Sequence, residues 1–286
     1  MEARFYEDIN EFCDIAFPFL LKREVINWSL IDILHYLKKN IHKYGEEIPL
    51  LVVLTEGEEV KLISQRTPPY PLIISYTNNM DCIERLVEEL SKREEKLPGV
   101  LCFKKAAEIF TKLWCEKTSL NPHLIQEEQI YKLEEVSKET LGDKHFSVAT
   151  KKYKSIVLKW ARKMMIEALA DVTQEELDRN INSFKNEFEN DNSQIYILFD
   201  NNEPVSIARK MGKTPNGINL VYTPPSLRRR GYATECVAKL SKLLLDEGNK
   251  YCFLETDSSN PTSNSIYQKI GYRPVIDVYE YQFLPK

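Results

Sequence analysis

Long apolar stretches are missing from this sequence: no run approaches the ~18–20 residues that a membrane-spanning helix needs. The opening residues, MEARFYEDINEF, mix both signs of charge and lack a basic leader followed by an apolar core. No signal peptide is therefore expected, and the protein reads as cytoplasmic, with no membrane partner. An excess of positive charge is missing too. The 286 residues carry 39 Lys and Arg against 43 Asp and Glu, a formal net charge of −4. Both signs are interspersed, which argues against a nucleic-acid binder relying on clustered positive charge. Metal-ligand spacing is absent as well. Six cysteines (Cys13, Cys82, Cys102, Cys115, Cys236, Cys252) and four histidines (His35, His42, His123, His145) include no C-x-x-C pair. Reduced, half-buried thiols are expected, and no metal.

What is present is concentrated in VYTPPSLRRRGYA, Val221 to Ala233. A short β-branched and aromatic run ends in two prolines and a serine. A basic turn containing Gly231 follows, and then an amphipathic helix opens, with Val237, Leu240 and Leu244 at helical spacing and Gly248 at its stop. A strand feeding a basic turn at a helix start makes an anion site. The first helical N–H groups lack partners, and the helix dipole favours negative charge there. Gly231 lets the backbone approach a phosphate, and Ala233 is small enough not to obstruct it.

Arg228-Arg229-Arg230-Gly231-Tyr232-Ala233 resembles the R/Q-x-x-G-x-G/A acyl-CoA signature of the GNAT superfamily of N-acetyltransferases, with Ala for the last Gly. Further on, NPTSNSIYQKIGYRPV resembles the superfamily's second signature, N-x-x-A-x-x-x-Y-x-x-x-G-F/Y. Asn260, Ser263, Tyr267, Gly271 and Tyr272 occupy its places, with Ser263 for the usual Ala. The two patterns stand in the right order, about a strand and a helix apart. The resemblance covers roughly Lys144 to the C-terminus.

The resemblance implies an acyl-CoA-dependent N-acyltransferase, most simply one moving acetyl from acetyl-CoA onto a primary amine by direct attack. The partners implied are an acyl-CoA cosubstrate and a small-molecule or peptide amine, on a monomer or homodimer. Cofactor contacts are expected at Leu220, Val221, Tyr222 and Thr223. Others are expected at Arg228, Arg229, Arg230, Gly231, Tyr232, Ala233 and Thr234, and at Asn260, Ser263, Asn264 and Tyr267. Backbone N–H groups of the turn would hold the pyrophosphate, and Val221 or Tyr222 N–H would polarise the thioester. Tyr267 is implied as general acid for the thiolate. The proton-accepting base is less plain. Many superfamily members carry a glutamate on the strand before the turn, but Ile218-Asn219-Leu220-Val221-Tyr222 has none. Glu255 and Asp257 on the next strand are candidates, acting through water. A glycine N-acyltransferase-like enzyme and a non-catalytic acyl-CoA-binding or regulatory protein are the alternatives.

The expected fold is α/β (α+β): two GNAT-like domains, each a mixed, mainly antiparallel twisted sheet flanked by helices. In the C-terminal half a strand at His145 to Thr150 precedes a helix from Lys151 to Leu169. After Asp171-Val172-Thr173, Thr173 and Glu176 form a capping box for a second helix. Strands are expected at Gln194–Phe199, Pro204–Met211 and Ile218–Thr223, and another at Tyr251–Thr256. A helix over 262–270 and two strands within Tyr272–Phe283 complete the half. The N-terminal half echoes this order. Leu50 to Thr77 gives strand, acidic turn, strand, proline break and strand, followed by a helix from Asp81 to Lys96, a strand at 100–103 and a helix over 104–116. There the arginine-glycine turn is replaced by Asn78-Asn79-Met80-Asp81-Cys82-Ile83-Glu84, which lacks glycine and places acids where phosphates would sit. The first half reads as a degenerate copy. Thr118–Pro122 reads as a linker and Gln129–Val136 as a strand, with the domain boundary near Ser137 (1–136 and 137–286).

Overall fold

The computed structural model describes residues 1–168, 173–190, 193–211 and 216–286. In chain order the elements begin β1 (Glu2–Tyr6), α1 (Ile9–Leu20), α2 (Trp28–Leu37), β2 (Leu50–Glu56), β3 (Glu59–Arg66) and β4 (Leu72–Ile74). Then come α3 (Asp81–Lys92), β5 (Gly99–Phe103), α4 (Lys104–Thr118) and β6 (Asn121–Leu133). The second series is β7 (His145–Val148), α5 (Lys154–Ala168), α6 (Gln174–Glu189), β8 (Ile195–Asp200), β9 (Glu203–Lys210) and β10 (Ile218–Tyr222). It closes with α7 (Tyr232–Asp246), β11 (Cys252–Asp257), α8 (Pro261–Ile270) and β12 (Arg273–Leu284). Both series read strand, two helices, three strands, helix, strand, helix, strand. The mixed α/β fold expected from the sequence is what forms.

Contacts divide the chain into two compact units. One comprises Met1–Ile130, Thr256–Ser259 and Val275–Lys286; the other comprises Tyr131–Glu255 and Asn260–Pro274. A single cut in the chain does not describe this division, because the final strand β12 lies with the first unit.

In the first unit the strand order is β1-β2-β3-β4-β5-β12-β6. The apolar run Leu51–Leu54 is buried on both faces, and the period of two in a strand sorts it. Leu51 and Val53 enter the core made with Phe12, Ala16, Leu30 and Leu34 of α1 and α2. Val52 and Leu54 enter the opposite core, with Leu86 and Leu90 of α3 and Phe110 and Trp114 of α4. β12 pairs antiparallel with β5, from Val278↔Phe103 to Gln282↔Gly99.

The second unit repeats the arrangement on a sheet ordered β10-β9-β8-β7. Ile195, Ile197 and Phe199 of β8 pack on Val157 and Trp160 of α5 and Leu177 and Phe188 of α6. Leu198, one residue out of phase, packs on the other side with Val237, Leu240 and Leu244 of α7. Burial of both faces locks this register, since a one-residue slip would exchange the two cores.

Several local expectations are corrected. Asn121-Pro122 is not linker: α4 ends in a left-handed Ser119 (φ 59°), and the chain enters a 13-residue strand, β6, that starts eight residues before the expected Gln129. Where two strands are expected within Tyr272–Phe283, Arg273–Leu284 form one continuous 12-residue strand, whose second half pairs with β5 from Val278 to Gln282. α3 stops at Lys92, four residues early. Residues 151–153 form a 3-10 turn, so α5 starts at Lys154. Leu169, Asp171, Val172 and the side chain of Glu176 lie outside the described residues.

Candidate acyl-CoA site

The site grows from a fault in β10. Its register with β9 runs Ile218↔Lys210, Asn219↔Arg209 and then Tyr222↔Ile207, so Leu220 and Val221 together oppose Ala208. This is a β-bulge, and Leu220 sits at φ 50°, a left-handed conformation that costs an L-residue about 1–2 kcal/mol. The extra residue switches faces. Ile218 packs with α7, whereas Leu220 and Tyr222 pack with the α5 and α6 core.

β10 also parts from its parallel neighbour. Gly217↔Phe253 is an isolated bridge, with Phe253 N–H donating to Asn216 O at 3.0 Å. Among the described residues no further ladder pair joins β10 to β11. The corresponding strands of the first unit, β4 and β5, do pair, at Leu72↔Val100 and Ile73↔Leu101. The parted strands of the second unit leave a slot in which an extended ligand can bond to backbone as an added strand would.

The turn follows. Pro225–Leu227 make one 3-10 turn, Arg229 takes φ 63°, and Gly231 caps α7 at φ 81°, ψ 0°. Successive residues of this kind form a concave nest of N–H groups. A Cβ built on Gly231 would meet nothing within 4 Å. Glycine is therefore required for its backbone conformation, and the space over the helix start is open. The first N–H groups of α7 receive no side-chain cap, so they remain available to an anion.

The first unit fills the same places with its own atoms. Asn79 Oδ1 accepts from Asp81 N–H at 3.0 Å, and Thr77 Oγ1 accepts from Asn79 N–H at 3.2 Å. Tyr76-Thr77 repeats Tyr222-Thr223 in sequence, and Tyr76 N–H donates to Asn27 Oδ1 at 2.9 Å. Asn27, 2% exposed, also donates from Nδ2 to Leu20 O at 3.1 Å.

The remaining expected site residues divide between exposed and structural positions. Arg229, Arg230 and Gly231 are exposed, and Ala233 and Thr234 are half-buried. Arg228 is engaged elsewhere: its Nε donates to Thr223 O at 2.9 Å and its guanidinium pairs with Glu167. Tyr232 is buried and donates its hydroxyl to Asp200. Glu235, in the first turn of α7, is buried and accepts from Lys144 N–H at 2.8 Å, fixing the helix start.

Tyr267 is buried in α8, with Tyr272 edge-on at 6.0 Å and Tyr131 at 6.3 Å between ring centroids. Burial pushes its phenol up to about 12, so it keeps its proton through the neutral range. Asn260 caps α8 by accepting from Ser263 N–H at 3.1 Å, and Ser263 and Asn264 are half-buried in the first turn. Glu255 is half-buried in β11. Asp257, exposed at the strand's end, accepts from Ser259 N–H and Oγ, each at 2.7 Å, as a turn-forming aspartate does. Cys236 and Cys252 are pushed up to about 12 by burial, which removes them as thiolate nucleophiles.

Two features had no local signal in the sequence. The bulge falls on an ordinary Leu, and Glu167 is a lone helix-end acid whose partners lie some sixty residues away.

Residues 157–272 match the model of the acetyltransferase (GNAT) family. The chain carries a GNAT-family acetyltransferase domain. That family uses acyl-CoA donors, and the parted β10 and β11, the bulge and the open start of α7 all lie inside the matched segment. No curated protein matches the sequence. Among solved structures, a GNAT-family acetyltransferase from Colwellia psychrerythraea is 11% identical, with a TM-score of 0.58 over 99% of this chain and 100% of that one. A GCN5-related N-acetyltransferase from Sphaerobacter thermophilus is 13% identical, with a TM-score of 0.61 over 100% of this chain and 96% of that one. A Drosophila protein is 12% identical, with a TM-score of 0.63 over 99% and 98%. These likenesses extend the shared fold over both halves. Among the described residues, no cluster of His, Cys, Asp or Glu could hold a metal ion, and no helix is long and apolar enough to cross a membrane.

Proposed function

We propose that the GNAT domain transfers an acetyl group from acetyl-CoA to a primary amine by direct attack. The observation that carries this is the uncapped start of α7 at Gly231 beside a bulged β10 that parts from β11. The N–H groups of the turn and first helical residues would hold the pyrophosphate, with Arg229 and Arg230 adding charge at the exposed rim. Pantetheine amides would bond to the open edges of β10 and β11. Val221, placed by the bulge without a partner of its own in the β9 register, would present its N–H to the thioester oxygen. Tyr267, still protonated at neutral pH, would hydrogen-bond the departing thiolate. Asn260 serves as helix cap and, on this reading, as a neighbour of the cofactor amides.

Deprotonation of the amine falls to Glu255, through water, in preference to Asp257, whose carboxylate is held by Ser259. In this proposal the second unit, Tyr131–Glu255 with Asn260–Pro274, carries the catalytic site, and the first unit is a diverged copy that binds no cofactor. Asn79 and Asn27 occupying their own backbone donors supports that assignment. The acceptor is a small amine or a peptide, and the protein works in the cytoplasm.

The test is CoA release from acetyl-CoA, and from longer acyl-CoAs, against a panel of glycine, polyamines, aminoglycosides and peptides. Amine-dependent release with acetyl-CoA supports the proposal. Turnover confined to glycine with a longer acyl-CoA would replace it with glycine acylation, and tight binding without turnover would leave a non-catalytic acyl-CoA-binding protein.

A further inference from the structure

Glu167 stands in the last turn of α5, on the face of the sheet opposite α7. One carboxylate oxygen accepts from Tyr222 Oη at 3.2 Å, and the other pairs with Arg228 Nη2. Arg228 uses its Nε on Thr223 O at 2.9 Å, and its guanidinium carbon lies 5.7 Å from the centre of the Tyr222 ring. From the β9 side, Ser206 Oγ donates to Tyr222 O at 3.1 Å and lies 2.9 Å from Thr223 Oγ1. The strand end that leads into the arginine turn is thus held from two directions.

These bonds have a definite consequence for the peptides there. The carbonyl oxygens of Tyr222 and Thr223 are both taken by donors from the protein, so neither peptide can turn over without breaking a hydrogen bond. A peptide flip at this place would present an oxygen to a ligand in place of an N–H. Both Glu167 oxygens are engaged, one by the Tyr222 hydroxyl and the other by the Arg228 guanidinium.

We infer that Glu167 is a positioning residue for the donor site: acting through Arg228 and Tyr222, it fixes the peptides between the β10 bulge and the anion-binding turn. This role rests on the acetyl-CoA reading above. It differs from a fold-stabilising role because the Glu167–Arg228 pair is 43% and 45% exposed, and such exposed pairs contribute little to stability.

The experiment is a double-mutant cycle with Glu167→Gln, Arg228→Gln and the combination, read by calorimetric binding of acetyl-CoA and by thermal melting. Glu167→Gln is expected to weaken binding about fivefold, the scale of losing one ordinary net hydrogen bond, with the melting temperature unchanged. In the Arg228→Gln background the same change should have almost no further effect. Unaltered affinity in Glu167→Gln would overturn the role. So would an equal loss in both backgrounds, or a loss of binding that merely follows a loss of melting temperature. Wild-type protein that binds no acetyl-CoA would instead overturn the donor reading itself, before any variant is compared.

Discussion

Replacing Gly231 with glutamate separates cofactor binding from folding more cleanly than any other change at the site. Three effects can be estimated. Holding an L-residue at φ 81° costs the fold about 1–2 kcal/mol. No steric penalty adds to this, because a Cβ there meets nothing within 4 Å. A carboxylate at the start of a helix returns about 0.3–1 kcal/mol by facing the positive end of the dipole. The net destabilisation is therefore about 1 kcal/mol, or roughly 2–4 °C in a chain of this size. Binding suffers far more. The new carboxylate occupies the anion position, and repulsion between unit charges about 4 Å apart is on the order of 4 kcal/mol at an effective dielectric of 20. That corresponds to a loss of roughly a thousandfold. Gly231→Ala is the control, since it carries the backbone cost without the charge. Calorimetric titration with acetyl-CoA, paired with thermal melting, reads both quantities. A folded Gly231→Glu protein with wild-type affinity would show that no phosphate sits over α7, and the proposed site would be wrong.

Two further outcomes follow from the same structure. Tyr267→Phe keeps the ring packed against Tyr131 and Tyr272, so stability and acetyl-CoA affinity should hold while kcat falls by ~10²–10⁴-fold; steady-state rates equal to wild type would reduce Tyr267 to a core aromatic. In the first unit, burial and the neighbouring Glu280 push Glu128 up from 4.5 to about 7. A raised carboxyl contributes stability below its unfolded value, and that contribution is lost as pH rises from about 4.5 through 7. Glu128→Gln should therefore melt measurably higher than wild type at pH 8, with the gap closing by pH 4.5; parallel melting curves across that range would refute the assignment.

Much of the fold was legible in the residues because local patterns there agree with tertiary packing. The run Leu50–Leu54, the helical spacing of Leu86 and Leu90, and the turn at Asp200–Glu203 each specify an element on their own. The arginine-glycine turn was legible for the same reason: a strand, a turn with glycine at its exit and a helix start need only their neighbours in sequence. The two strand failures share one cause. A strand's limits depend on its partner, so residues 121–122 read as linker and Tyr272–Phe283 as two strands until pairing extended them.

The sequence by itself determined that residues 228–234 form an uncapped helix start suited to an anion, because glycine and arginine act there through local geometry and charge. Only the tertiary structure decided where the donor slot opens, since that depends on an unforeseen bulge at Leu220 and on β10 leaving β11 after one bridge. It also decided that Arg228 braces the turn through Glu167, sixty-one residues away in sequence. Contacts of that separation are set by which faces the two cores bury, and no spacing within the chain encodes them.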